Sequence, residues 1–244
     1  MAAPHGGDEA DRAASSRRLE LAANLAVVHR RIAHAATSAG RDPSEVTLVV
    51  ITKTWPAADV RMLAGLGVTD VGENRDAEAS PKAAALTAVR LRWHFVGQLQ
   101  TNKARSVAMY ADVVESVDRV RLVSALERAA SGTGRRLSCL VQVGLSREPG
   151  RGGADPGQVP EVAAAVAASS HLQLAGVMAV APLGEDPIPA FSRLAEISAR
   201  IRLDHFGATT VSAGMSEDFE AAIACGATHV RIGSAVLGHR PPVR

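Results

Sequence analysis

The chain has 244 residues, of which 47% are apolar and only 3% aromatic, with a formal net charge of +2. That length and apolar content specify a globular protein of one or two domains whose core needs no disulfide or metal staple. Near-neutral charge without a basic cluster, and few rings for bases to stack on, exclude a dedicated nucleic-acid binder. Cys139 and Cys225 are too few for a disulfide framework and read as reduced thiols of a cytoplasmic protein.

Lys and Arg together number 27, yet only Lys53, Lys82 and Lys103 are lysines. A lysine amine can be tuned and can form Schiff bases, which the permanently charged guanidinium cannot. Each of the three is therefore a candidate for chemistry.

Residues 1–14 lack the apolar stretch of a signal peptide and are expected to form a loose tail, leaving 15–244 as one domain. Leu21, Leu25, Val28 and Ile32 recur at helical spacing, and Gly40 with Pro43 ends that helix. Short β-branched runs then alternate with Ala-rich stretches punctuated by Arg and Glu. Strands are predicted near 46–52, 69–72, 92–96, 113–117, 137–144, 174–180, 209–212 and 229–232. Helices are predicted near 56–65, 75–89, 102–110, 119–130, 156–168, 189–203 and 217–225, with a short last one near 235–239. The uncharged run 162–184 contains Ser169, Ser170, His171, Gln173 and Pro182 and divides into a helix and a strand, so it is not transmembrane.

Runs such as LVVI, CLVQV and GVMAV alternate too little for a sheet with one wet face and suit parallel strands covered on both sides. The fold class is α/β, and the expected architecture is a single (β/α)8 TIM-type barrel with an extra N-terminal helix. A doubly wound open sheet is the second choice, weakened by the absence of glycine-rich nucleotide motifs.

A barrel carries its chemistry at the C-terminal strand ends. Lys53 directly follows an apolar run, where desolvation would lower its pKa and free the amine. The plainer alternative is a lysine leaving the strand for solvent; Lys82 and Lys103 read as helix-surface residues. Asn74 either caps the helix that follows or contacts a ligand. His94 and Phe95 face opposite sides of their strand, and His94 reads as a hydrogen-bonded core residue. Thr101 or Asn102 is expected to cap the next helix.

The segments after strands seven and eight combine small residues, hydroxyls and helix starts, a pattern suited to phosphate. Glu217 and Asp218 would repel an anion at the first of these helices, so the cup is placed against Ser212, Gly214, Gly233 and Ser234, with Ser216 as a cap. Arg231, between apolar neighbours, is either half of a buried ion pair or a donor to a ligand. An amine, a phosphate cup and an arginine suit a ligand with an aldehyde, a phosphate and a ring acceptor, as in pyridoxal 5′-phosphate. A Schiff-base aldolase acting on a sugar phosphate fits the same residues nearly as well.

From about Leu25 to Arg240 the sequence resembles the pyridoxal phosphate homeostasis proteins. The resemblance is carried by WHFVGQLQTNK at 93–103, VITK at 50–53, GENR at 72–75 and SAGMSEDFEAAIACGATHVRIGSAVLGHR at 212–240. It implies the barrel of the alanine racemase N-terminal domain without that enzyme's second domain. It further implies that Lys53 carries pyridoxal 5′-phosphate as a covalent aldimine, with Asn74 near the ring and Arg231 facing the pyridine nitrogen. Ser212 and Ser234, with Gly214 and Gly233 beside them, would hold the phosphate.

The function implied is to bind, buffer and deliver the cofactor in the cytoplasm without established turnover. The expected partners are pyridoxal 5′-phosphate and the apo-enzymes that use it, with no metal, nucleic acid or membrane, and a monomer rather than a dimer. The sequence departs from the family pattern at Ala213, Gly144 and Arg151, the last standing where a loop lysine is often found. The alternative is a racemase or decarboxylase of the same barrel type. Racemisation needs a base on each face of the substrate, and the single tyrosine, Tyr110, lies at a helix end rather than a strand end. An arginine at the pyridine nitrogen also keeps that nitrogen unprotonated and weakens the ring as an electron sink.

Overall fold

The computed structural model of the chain describes residues 6–146 and 152–238. Helix α1 (Gly6–Ser38) precedes β1 (Thr47–Ile51), α2 (Ala57–Ala64), β2 (Asp70–Glu73), α3 (Asp76–Ala84), β3 (Arg92–Phe95), α4 (Ala104–Tyr110) and β4 (Val113–Val117). The order continues with α5 (Val120–Thr133), β5 (Leu137–Gln142), α6 (Val159–Ala167), β6 (Leu172–Met178), α7 (Pro187–Asp204), β7 (Thr210–Ser212), α8 (Phe219–Ala224), β8 (His229–Ile232) and α9 (Ser234–Leu237).

All neighbouring strands are parallel, and β8 pairs back onto β1 with Thr47 opposite His229 and Val50 opposite Ile232. That pairing closes the sheet and excludes the open doubly wound alternative. No helix among the described residues is long and apolar enough to cross a membrane.

The strands form where β-branched runs allow burial on both faces, and residue parity assigns each face. Val50, Val71, Trp93, Val230 and Ile232 point outward and pack under α1, α2, α8 and α9. Phe95, Val114, Cys139, Val141 and Val177 do the same beneath α4 to α7. The interior is of two kinds. Val113, Leu140 and Met178 form a small apolar plug, while Asp70, His94, Glu115, Ser212 and Arg231 are buried polar residues.

The predicted strands are all present, with ends shifted by a few residues. Strand β5 stops at Gln142 because Gly144 donates its N–H to Ala154 O and Ala154 donates to Gln142 O, folding the chain back. Helix α3 ends at Ala84, well short of 89, with Pro81 inside it. A proline interrupts the ladder and limits the helix.

Helix α1 starts at Gly6, so most of the segment expected to be a loose tail lies within it. The run from Asp8 to Ala14 holds three alanines with one Glu and one Arg, residues that favour helix. Farther along, Leu21, Leu25, Val28 and Ile32 are buried against the barrel's outer layer, each contributing about 1.5–3 kcal/mol. Arg17 bonds Asp59 Oδ2 at 2.8 Å and Leu237 O at 3.0 Å, and stacks 4.6 Å from the Trp55 ring. The extra helix therefore ties the segment after β1 to the last helix.

Candidate functional site

A cavity of about 760 Å³ opens at the C-terminal ends of the strands. Its wall is formed by Lys53 and Trp55 after β1, Ala181 to Glu185 after β6, Met215 to Asp218 after β7, and Arg231, Gly233 and Ser234 from β8 onward. Parity explains Lys53: Val50 and Thr52 face outward, so Ile51 and Lys53 face inward, and both line the cavity.

The backbone around Lys53 is held tightly. Thr54 adopts φ +69°, a left-handed conformation that is unusual for a β-branched residue and costs about 1–2 kcal/mol. Its N–H donates to Glu78 Oε2 at 2.9 Å and its hydroxyl to the Lys53 carbonyl at 2.5 Å, which keeps the turn in place. Behind the strand, between barrel and α3, Lys82 Nζ donates to the Thr52 carbonyl at 2.9 Å and to Glu73 Oε1 at 2.5 Å. Thr52 Oγ1 donates to the same carboxylate oxygen at 2.6 Å. Lys82 is thus buried, not a surface residue as its helical context suggests, because α3 turns it toward Glu73. It secures the peptide that leads into Lys53.

Opposite Lys53 lies a cup of small residues. The Ser216 hydroxyl accepts from Ser234 Oγ at 3.2 Å and from the Ala235 N–H at 3.4 Å. A side chain at Gly233 would bring its Cβ to 3.3 Å from Ile51 O, so the glycine keeps this wall open. Gly214 has φ +91°, and a Cβ there would meet Phe219 Cα at 2.7 Å; only glycine fits this turn.

The structure redistributes the predicted phosphate residues. Ser216 does not cap α8; Asp218 Oδ1 instead accepts from the Met215 N–H at 2.6 Å, leaving Ser216 beside Ser234. Ser212 and Gly214 do not line the cavity. Ser212 is fully buried beneath it, donating to Glu115 Oε2 at 2.7 Å and accepting from Arg231 Nη1 at 2.7 Å. Asn74 is half-buried at the end of β2 and also stands outside the lining, with its carbonyl against Gly97. Neither Asn74 nor Thr101 nor Asn102 supplies a side-chain cap to α3 or α4. Arg151 lies outside the described residues.

Arg231 forms the floor of the cavity and is 5% exposed. Its Nη2 donates to Ala179 O at 2.8 Å, and Nη1 lies 3.8 Å from Glu115 Oε2. Both alternatives for this arginine therefore meet in one residue, a buried charge beside a carboxylate that also faces the cavity. His94 is the hydrogen-bonded core residue expected, with Nδ1 2.7 Å from Glu115 and Nε2 3.0 Å from Asp70. Burial opposes its charge, but the bonds to Asp70 and Glu115 outweigh that and raise its pKa. Burial would likewise raise Glu115, yet His94, Arg231 and Ser212 hold it down to about 2. His229, whose ring centroid is 6.2 Å from that of His94, is pushed by burial to about 4.

The sequence matches the family described as alanine racemase, N-terminal domain, over residues 19–241. It is 43% identical over 243 residues to the pyridoxal phosphate homeostasis protein of Mycobacterium tuberculosis, covering 92% of this chain and 94% of that protein. The chain belongs to the pyridoxal phosphate homeostasis protein family. Among solved structures, PipY of Synechococcus elongatus with PLP bound superposes at a TM-score of 0.79 with 32% identity, covering 89% of this chain and 100% of that one. Alanine racemase from Streptomyces coelicolor superposes at 0.71 with 19% identity over 92% of this chain and 59% of its own, a likeness of fold.

Within this homeostasis-family barrel, the residues that the sequence did not single out are Trp55, Glu115 and the segment 181–185, and Lys82 was assigned to a helix surface. Glu115 carried a readable signal, the one acid of the strand VVESV, at an inward position. Tyr110, the one tyrosine, packs edge-on against Trp93 with ring centroids 6.4 Å apart, on the outer side of the sheet and away from the cavity. Among the described residues, no cluster of His, Cys, Asp and Glu could hold a metal.

Proposed function

We propose that this protein binds pyridoxal 5′-phosphate in the cavity, attached covalently through the Lys53 amine, and buffers and delivers it without turning over amino acids. The observation that carries this reading is one cavity with an amine on one wall, a hydroxyl-lined cup on another and a buried guanidinium on its floor. These donors fit the cofactor's aldehyde, phosphate and ring nitrogen in turn. Bound there, the cofactor would supply an aldehyde that condenses with amines and a ring that withdraws electrons.

The chain's own residues divide the work. Ser216, Ser234 and the glycine at 233 receive the phosphate. Ser212 and Gly214 support the cup and the floor from beneath. Arg231 donates to the ring nitrogen and so keeps it unprotonated, which limits the ring's electron-withdrawing power. Asn74 stands at the neighbouring strand end on the ring's side.

Several features favour a carrier over a racemase or decarboxylase. Among the described residues, the cations lining the cavity are Lys53 and Arg231, and the latter already donates to Ser212 and Ala179. Glu185, Glu217 and Asp218 line the same cavity, and beside a phosphate already seated by the cup's donors they oppose entry of a further anion. Among the described residues, no further cation lines the cavity to seat a second, anionic substrate. This division suits a cytoplasmic protein that hands its cargo to apo-enzymes.

The test pairs two measurements on the loaded protein. Mixed with an apo-aminotransferase, it restores transaminase activity as the protein's own visible absorbance declines. Incubated with alanine in deuterated water, it exchanges the α-proton no faster than free pyridoxal 5′-phosphate. Sustained exchange abolished by Lys53→Ala would establish the enzymatic reading instead.

A further inference from the structure

A line of buried polar side chains crosses the barrel interior from β2 to β8. His94 sets its direction. Each ring nitrogen faces a carboxylate, Glu115 at 2.7 Å and Asp70 at 3.0 Å, and ionised carboxylates only accept. The ring therefore donates from both nitrogens. Glu115 accepts from His94 on Oε1 and from the Ser212 hydroxyl on Oε2 at 2.7 Å. A serine hydroxyl has one proton, and Ser212 directs it at Glu115, so only lone pairs remain for Arg231. Arg231 Nη1 fills that position at 2.7 Å, while Nη2 is held by Ala179 O at 2.8 Å. Two of the guanidinium's nitrogens are thus pinned, Nη2 by a backbone carbonyl and Nη1 by a side-chain line whose anionic node is Glu115.

We propose that Glu115 is the positioning residue for Arg231, aiming its guanidinium through Ser212 at the ring nitrogen of a pyridine-type ligand. The inference rests on the cofactor reading above and assigns a role to a side chain that never touches the ligand. Other charges near the line are Asp218 beside Arg231, Arg92 beside Asp70, and His229 facing His94. Among the described residues none of these bonds Ser212, and its hydroxyl is directed by Glu115. A glutamine of the same shape would present a neutral amide there and release that direction.

The experiment compares two ligands, pyridoxal 5′-phosphate and its carbocyclic analogue with CH in place of the ring nitrogen, on the unaltered protein, Glu115→Gln and Ser212→Ala. Thermal melting of each variant without ligand shows whether the barrel is intact. A charge-assisted hydrogen bond is strong enough that losing its alignment weakens pyridoxal 5′-phosphate binding about tenfold. The analogue, which has no ring nitrogen to accept, binds all three proteins alike. Ser212→Ala gives the same selective loss and decides the matter if Glu115→Gln fails to fold. Equal weakening of both ligands, or of neither, overturns the positioning role. Failure of the unaltered protein to bind either ligand overturns the cofactor reading instead.

Discussion

Lys82→Met lowers the stability of the folded protein by about 3–5 kcal/mol at neutral pH, the usual cost of leaving one partner of a buried ion pair alone. Lys82 is 8% exposed and Glu73 fully buried, and Glu73 Oε2 already finds no hydrogen-bond partner among the described residues. Methionine fills the space of the lysine stem but leaves the carboxylate facing only Thr52. Burial raises the Glu73 pKa above its ordinary value even against the pull of Lys82 and Thr52. A carboxyl raised in this way contributes stability that is complete below its unfolded pKa and is lost as pH rises through the folded one. Removing Lys82 drives the folded value higher, so the deficit is large at neutral pH and shrinks on acidification, once Glu73 keeps its proton. Urea denaturation across that range measures it. Adding Glu73→Gln to Lys82→Met restores most of the loss, whereas a deficit unchanged by acid contradicts the ion-pair explanation.

Lys53→Ala abolishes covalent uptake of pyridoxal 5′-phosphate altogether, taking borohydride-stable label from about one per chain to none. No other lysine can substitute. Lys82 lies behind the strand with its ammonium held by Thr52 O and Glu73. Lys103 precedes α4, exposed, 3.9 Å from Asp76 and outside the cavity lining. Lys53→Arg behaves like the alanine variant, because a guanidinium is a poor nucleophile at any accessible pH. Absorbance and mass measurement after reduction check both variants. Substantial label on either variant contradicts the assignment of the amine.

The barrel was legible because each of its signals is local. Apolar runs such as LVVI, glycine and proline stops, and amphipathic spacing in α1 each identify an element without reference to its neighbours. The cavity-lining positions of Lys53 and Arg231 were legible for the same reason, since one ends an apolar strand and the other interrupts one. What escaped was pairing at a distance. Ser212 is expected at the phosphate, whereas the fold places it beneath the cavity with its hydroxyl donating to Glu115, 97 positions away in sequence. Ser216 looked like a cap, and only the folded chain sets it beside Ser234. Lys82 followed the surface pattern of a short helix, yet it answers a carboxylate buried on the neighbouring strand. Charges inside a fold select their partners through three-dimensional arrangement, and periodicity along the chain does not record that choice.

In the proposed function, Lys53 is the cofactor-bearing amine facing the Ser216–Ser234 cup. The most direct test of this assignment is peptide mapping of the unaltered protein after saturation with pyridoxal 5′-phosphate and borohydride reduction. The predicted result is a single pyridoxyl-modified peptide with the label on Lys53. Label on Lys82 or Lys103, or no label on any lysine, would contradict it.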